Sequence, residues 1–209
     1  MTLDAAEDRI ADDLERFVEV AKSLGANDAV AIPSSWIVVD DRVRMKCRIP
    51  RCPSYGRAGN CPPHVPRTEE VRAALSNYRF AVLFKLEGRA TIRTHDLEEA
   101  KQAVRRQHAD VTDIAAKLES LAFNRGYYLA MGLGAGSCLH SLCADEPCGL
   151  LETGVCRHQD RARPSMEALG IDVFAIARRV GWPLVTVNYS GVDSRDDAGP
   201  WAIGIVFVC

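Results

Sequence analysis

A chain of 209 residues with 47% apolar and 26% charged side chains can bury a core and remain in solution, which excludes a disordered or fibrous polypeptide. Its net charge of -2 and pI near 6.2 give no general attraction to a nucleic-acid backbone or an anionic membrane, so neither partner is expected. The most continuous apolar run, WAIGIVFVC at the carboxyl end, falls well short of the ~20 residues of a membrane-spanning helix. The acidic amino terminus lacks the basic-then-apolar order of a signal peptide, and the expectation is one cytoplasmic domain over residues 1–209.

MTLDAAEDRIADDLERFVEVAKSLGAND reads as an amphipathic helix ending near Gly25. DAVAIPSSWIVV follows as one or two short strands broken at Pro33, and VRMKC leads into a first cysteine loop. After that loop Thr68 is expected to cap a short helix with Glu69 and Glu70 in its first turn, and RFAVLFKLEG to form a buried strand closed by Gly88. Asp96 and Glu99 make a capping-box pattern. From there Leu97, Ala100, Val104, Val111, Ile114, Ala115, Leu118 and Leu121 recur at helical spacing to about Asn124, with a polar face expected to be solvated.

YYLAMGL reads as a strand that delivers the chain into GAGSC, and SMEALGIDVFAIARRVG as a helix ending at Gly181. PLVTVNYS and WAIGIVFVC flank the turn-rich GVDSRDDAGP, which predicts a closing antiparallel hairpin. The sum is an α/β or α+β fold: a mixed sheet with flanking helices and two cysteine-rich metal-binding loops, able to meet at one end of the sheet.

Seven of the eight cysteines fall in two groups: Cys47, Cys52 and Cys61, then Cys138, Cys143, Cys148 and Cys156. They stand among Pro, Gly, Arg and His, unlike solitary core cysteines; Cys209, at the end of a strand pattern, reads as a core residue. In a reducing compartment thiols serve as ligands or nucleophiles, and a chain long enough for a full core does not need a disulfide framework. Zinc sites favour pairs separated by two to four residues, so the four-residue gaps here lie at the edge of that range, with His64, His140 or His158 available to complete a tetrahedron. Thiolates strung through a loop suit the wider corners of an iron–sulfur cluster, and Pro53 and Pro62 directly follow cysteines as in ferredoxin loops.

Gly132, Gly134 and Gly136 precede Cys138 closely enough to bring main-chain amides to a cluster, which makes Gly134 and Gly136 candidate cofactor-binding residues. A nucleotide or S-adenosylmethionine loop is the competing use of GLGAG, although cysteines stand where its helix should follow. Lys46, Arg48, Arg51, Arg57, Arg157 and Arg163 could offset thiolate charge.

CRIPRCPSYGRAGNCPP, GAGSC and CRHQDRARPSMEALGIDVF resemble the signature segments of a prokaryotic family of predicted metal-binding proteins with a domain of unknown function, a resemblance that runs from about Val43 to the carboxyl end. It implies a cysteine-bound metal centre, with iron–sulfur, [4Fe–4S] in type, as the expected cofactor and zinc as the alternative. The implied ligands are Cys47, Cys52, Cys61, Cys138, Cys143, Cys148 and Cys156.

Three functions follow as expectations. A saturated four-cysteine cluster would make a redox or electron-transfer accessory with a redox protein or small molecule as partner. A three-cysteine centre with an open iron would make an enzyme, with His64, Tyr55 or Glu167 to move protons. A structural zinc would make a binding module. The cysteine spacing of radical S-adenosylmethionine enzymes is absent, as are a Walker loop, a nucleophile elbow and a zinc-protease helix, and no catalytic residue is singled out.

Overall fold

The computed structural model describes residues 3–88, 97–182 and 201–209. In chain order they form α1 (Leu3–Ser23), β1 (Asp28–Pro33), α2 (Asp41–Met45), α3 (Thr68–Leu75), β2 (Phe80–Glu87), α4 (Leu97–Asn124), β3 (Met131–Leu133), α5 (Cys138–Ser141), α6 (Gly149–Thr153), α7 (Val173–Arg179) and β4 (Trp201–Phe207). The strands build one sheet in the order β1-β2-β4-β3, and every ladder is antiparallel. Of the two classes open from sequence, the fold is α+β. No described helix is long and apolar enough to cross a membrane.

Both faces of the sheet are covered, which is why β2 reads as an almost unbroken apolar run. Val82, Phe84 and Leu86 meet Leu14 and Phe17 of α1 and Val111, Ile114 and Leu118 of α4. Ala81 and Leu83 point the other way, with Ile203, Ile205 and Phe207, onto Val71 and Leu75 of α3 and onto Met166, Ile171 and Ile176. The period of two in the strands thus feeds two separate cores. A latch ties the two helices of the first face: Asp13 on α1 is 1% exposed and accepts from Arg125 and, at 2.8 Å, from Tyr127 Oη.

Several boundaries differ from expectation. Thr68 begins α3 but does not cap it: its hydroxyl donates to Asp41, while Glu70 accepts from the Arg67 amide at 2.7 Å. The run SMEALGIDVFAIARRVG is not one helix. A 3-10 turn at Glu167–Leu169 ends at Gly170, whose φ of +83° is left-handed, and a Cβ there would stand 2.6 Å from Thr68 Cγ2. Asp172 then caps α7 by accepting from Ala175 N at 3.0 Å. The YYLAMGL strand shortens to Met131–Leu133, because Tyr127 is drawn to Asp13 and Ala130 N closes a turn on Tyr127 O. Asp96 and the PLVTVNYS arm of the expected hairpin lie outside the described residues.

Candidate metal centre

Residues 46–67 are a succession of turns, with Cys52 N bonded to Cys47 O and Cys61 N to Ala58 O. Proline and glycine at this density leave no run for a helix or ladder, so local bonds satisfy the backbone. The second group starts where Ser137, the cap of α5, accepts from Leu139 N at 3.3 Å. It continues through α6 to Cys156.

The two groups meet. Gly59 N donates to Cys148 Sγ at 3.4 Å, Asn60 Nδ2 to Cys138 Sγ at 3.7 Å, and the Cys61 thiol to Ser137 Oγ at 3.3 Å. Within the second group His158 N donates to Cys156 Sγ at 3.4 Å. Cys61 and Cys138, each 8% exposed, share a small apolar cluster with Ala58 and Leu139. Cys209 stands apart: it packs on the core between α1, α4 and the sheet, with Arg79 as its charged neighbour.

Another cross-loop tie runs from Ser54 through His140 to Asp145. Ser54 Oγ lies 2.8 Å from His140 Nε2, and His140 Nδ1 meets Asp145 Oδ1. The order of groups is that of a hydrolase triad. Ser54, however, is 2% exposed beneath the first loop, so its oxygen is no surface nucleophile and the line acts as a pin between loops. Asp145 also holds Arg105 of α4 at 2.8 Å and takes a left-handed φ of 67°, a conformation that Asp tolerates better than most residues.

The long helix α4 is the spine on which the second group hangs. Asp113 receives Arg161 through two bonds at 2.7 and 2.8 Å, and Glu119 receives Arg163 at 2.6 and 3.0 Å. The expectation of a merely solvated polar face is therefore corrected: part of that face binds the cysteine-rich segment. Gly134 and Gly136 serve the same docking. A Cβ on Gly134 would stand 2.5 Å from Thr112 Oγ1, one on Gly136 would overlap the His108 ring, and the Gly134 amide donates to Pro164 O at 2.9 Å.

Burial pushes the Cys138 thiol up to about 12, and the nearby Cys61, Cys143, Cys148 and Cys156 add to the shift. Burial also raises Cys61, with Cys52, Cys47 and Cys148 as charged neighbours, and Cys47, beside Cys52 and Glu167. Cys143 is raised by burial and partly relieved by Arg157. The thiols thus oppose one another's ionisation across both groups, a cost that a bound cation would remove. Glu167 is exposed at the surface, yet the protein around its carboxyl desolvates it and raises its pKa.

Of the cations expected to offset thiolate charge, Arg157 lies beside Cys143, whereas Arg163 is held by Glu119. His64 sits at the exposed side with Nε2 3.4 Å from Gly56 O. Among the described residues no three His, Cys, Asp or Glu side chains converge as a preformed site for a single ion. Sequence reading missed Ser54, Asn60, Asp113 and Glu119. The C-P-S-Y-G turn carries no signal for a buried serine, and the other partners are distant in sequence.

The two cysteine groups come together on the flank of an α+β sheet, and N–H donors are directed at the sulfurs of Cys138, Cys148 and Cys156. Residues 30–197 match the family described as predicted metal-binding protein (DUF2284), and the chain belongs to that family. Neither the curated proteins nor the solved structures contain a match to it.

Proposed function

We propose that the two cysteine groups hold an iron–sulfur centre and that the protein carries electrons to or from a redox partner. The observation that carries this reading is the set of N–H donors aimed at sulfur, two of which cross from the first loop to the second group. Amides directed at sulfur stabilise thiolate charge and tune a cluster's potential. The donor chemistry fits: Cys138, Cys143, Cys148 and Cys156 make one complete set of four, and Cys47, Cys52 and Cys61 a set of three beside it.

Bound iron and sulfide would supply one-electron redox chemistry. The chain's own part is to bind and shield. Ala58, Leu139 and Leu142 exclude water beside Cys61 and Cys138, Arg157 offsets charge at Cys143, and Ser54, His140 and Asp145 keep the loops together. The first loop also suggests the partner. From Arg42 to Arg67 the sequence has no acidic residue, while Lys46, Arg48, Arg51 and Arg57 cluster there with exposed Met45 and Ile49. A basic collar with apolar contacts suits an acidic redox protein, which it would steer at low salt.

Anaerobically purified protein should contain iron and acid-labile sulfide in comparable amounts, with broad visible absorption that bleaches on reduction. Stoichiometric zinc without sulfide would instead make the site a structural zinc module. A second reading, an enzyme with an open iron on the three-cysteine set, draws on the desolvated Glu167 carboxyl near Cys47. It calls for a Glu167→Gln variant with an intact cluster spectrum but an altered response to small ligands.

A further inference from the structure

The first cysteine loop is fastened to the molecule at one place. Among the described residues, every hydrogen bond that joins residues 46–61 to a distant part of the chain ends between Ser137 and Cys148. These bonds link Ser54 to His140, Gly59 to Cys148, Asn60 to Cys138 and Cys61 to Ser137. Gly59 also lies against α6, where a Cβ would stand 2.4 Å from Leu150 Cδ2. From Lys46 to Asn60 only Ser54 and Ala58 are buried, so apolar packing adds little.

The same loop carries Lys46, Arg48, Arg51 and Arg57, all exposed, and among the described residues none of them has an acidic partner. Arg51 lies over the Tyr55 ring and Arg57 reaches Pro53 O, so the loop itself places both. Met45 and Ile49, 55% and 72% exposed, stand among these cations in sequence. The order of the loop therefore decides whether these side chains form one face. Two of its four ties end on sulfur. A neutral thiol is a weak acceptor, whereas a metal-bound thiolate is charged, and charged acceptors take N–H bonds of about twice the strength. Loading the thiols thus tightens the bonds from Gly59 and Asn60 that hold the loop down.

We propose that metal occupancy of the cysteine lobe gates docking: the loaded lobe presents Lys46, Arg48, Arg51 and Arg57 with Met45 and Ile49 as one face to an acidic protein surface, and the unloaded lobe does not. This gate rests on the metal centre and the acidic partner proposed above, and it makes their two bindings one coupled equilibrium. A partner that engages only the ordered face shifts the loop toward order by its differential affinity. By linkage it raises the affinity for metal by the factor by which metal raises the affinity for it. The acidic partner is then held only by a protein already equipped to exchange electrons with it.

The probe is a fluorescently labelled oligoglutamate peptide, added to the full-length protein under anaerobic reducing conditions at low, constant ionic strength. Metal-loaded protein should bind it at least about tenfold more tightly than metal-stripped protein, a factor inside the usual range of coupling between sites. Saturating peptide should in turn raise the retention of metal against a competing chelator. This second readout starts from loaded protein, so the test survives a stripped protein that fails to fold. Arg48→Glu combined with Arg57→Glu should lose both effects. Equal peptide affinity in loaded and stripped protein, or metal retention indifferent to peptide, would overturn the gate. Unchanged affinity in the double variant, or equal binding of oligoglutamine, would overturn the basic face, and no binding to loaded protein would remove the acidic partner itself. Iron and sulfide counted on the same samples report on the metal separately: a zinc-loaded protein that still gates would sink the iron–sulfur reading and leave the gate standing.

Discussion

The sheet and the cysteine lobe are held together by different physics. In the sheet, Phe84, Ile205 and Phe207 are fully buried, and each strand feeds one core on either face. The lobe has only Ala58, Cys61, Cys138 and Leu139 in its buried apolar cluster, and much of its backbone bonds within turns. Burial at roughly 25 cal/mol per Å2 can order the first region but not the second, where few apolar atoms leave water. What orders the lobe is a set of directed ties: Arg161 and Arg163 to α4, Ser54 to His140, and amides to sulfur. On the proposed function, a region built this way would depend on the group its sulfurs hold.

The largest expected effect separates the two regions outright. Cys148→Ser should remove most of the bound metal and, in hydrogen exchange, expose residues 46–67 and 137–163 while β2 and β4 stay protected. If β2 lost protection equally, the regions would be one cooperative unit. Phe84→Ala should do the reverse, costing about 3–5 kcal/mol of global stability because a buried aromatic is replaced by a cavity. Urea unfolding measures this, and a cost under about 1 kcal/mol would count against the two-core description.

Asp13→Ala comes next, at about 1–3 kcal/mol, since it leaves the Tyr127 hydroxyl and the Arg125 head without their shared acceptor. Burial alone would raise the Asp13 pKa, but hydrogen bonds from Tyr127 and Arg125 outweigh it and lower the pKa below 3.8. A depressed carboxyl contributes stability that is present above its unfolded value and lost as pH falls through the folded one. The acid limb of the stability curve should therefore flatten below about pH 3.8 in Asp13→Asn. An unchanged limb would contradict the latch. Cys209→Ser is expected to do least, with metal content unaltered and stability changed by less than about 1 kcal/mol, because this thiol packs on the sheet core. Metal loss equal to that of Cys148→Ser would place it at the centre after all.

Much of the sheet region was legible from residue order. Period-3.6 patterns located α1 and α4, and apolar runs bounded by turn residues located β1, β2 and β4, because in this region burial is what orders the chain. The helix predicted across Ser165 to Gly181 failed at Gly170, where close approach to Thr68 requires a residue without Cβ. In the lobe, cysteine spacing marked the thiols but not their partners. The pairs Asp113 to Arg161 and Ser54 to His140 join residues 48 and 86 positions apart, and nothing local in either member announces the other. Gly134 and Gly136 were noticed for amides near a cluster, whereas the contact their missing side chains permit is with Thr112 and His108 of α4.

The account's central claim is that both cysteine groups serve one metal-bearing site. Anomalous diffraction from anaerobically grown crystals, collected on either side of the iron and zinc edges, tests it most directly because metal identity and ligands are read together. The account predicts iron within bonding distance of thiols from both the Cys47–Cys61 loop and the Cys138–Cys156 segment. Zinc alone, or a metal bound by one group with the other group's sulfurs turned away from it, would contradict it.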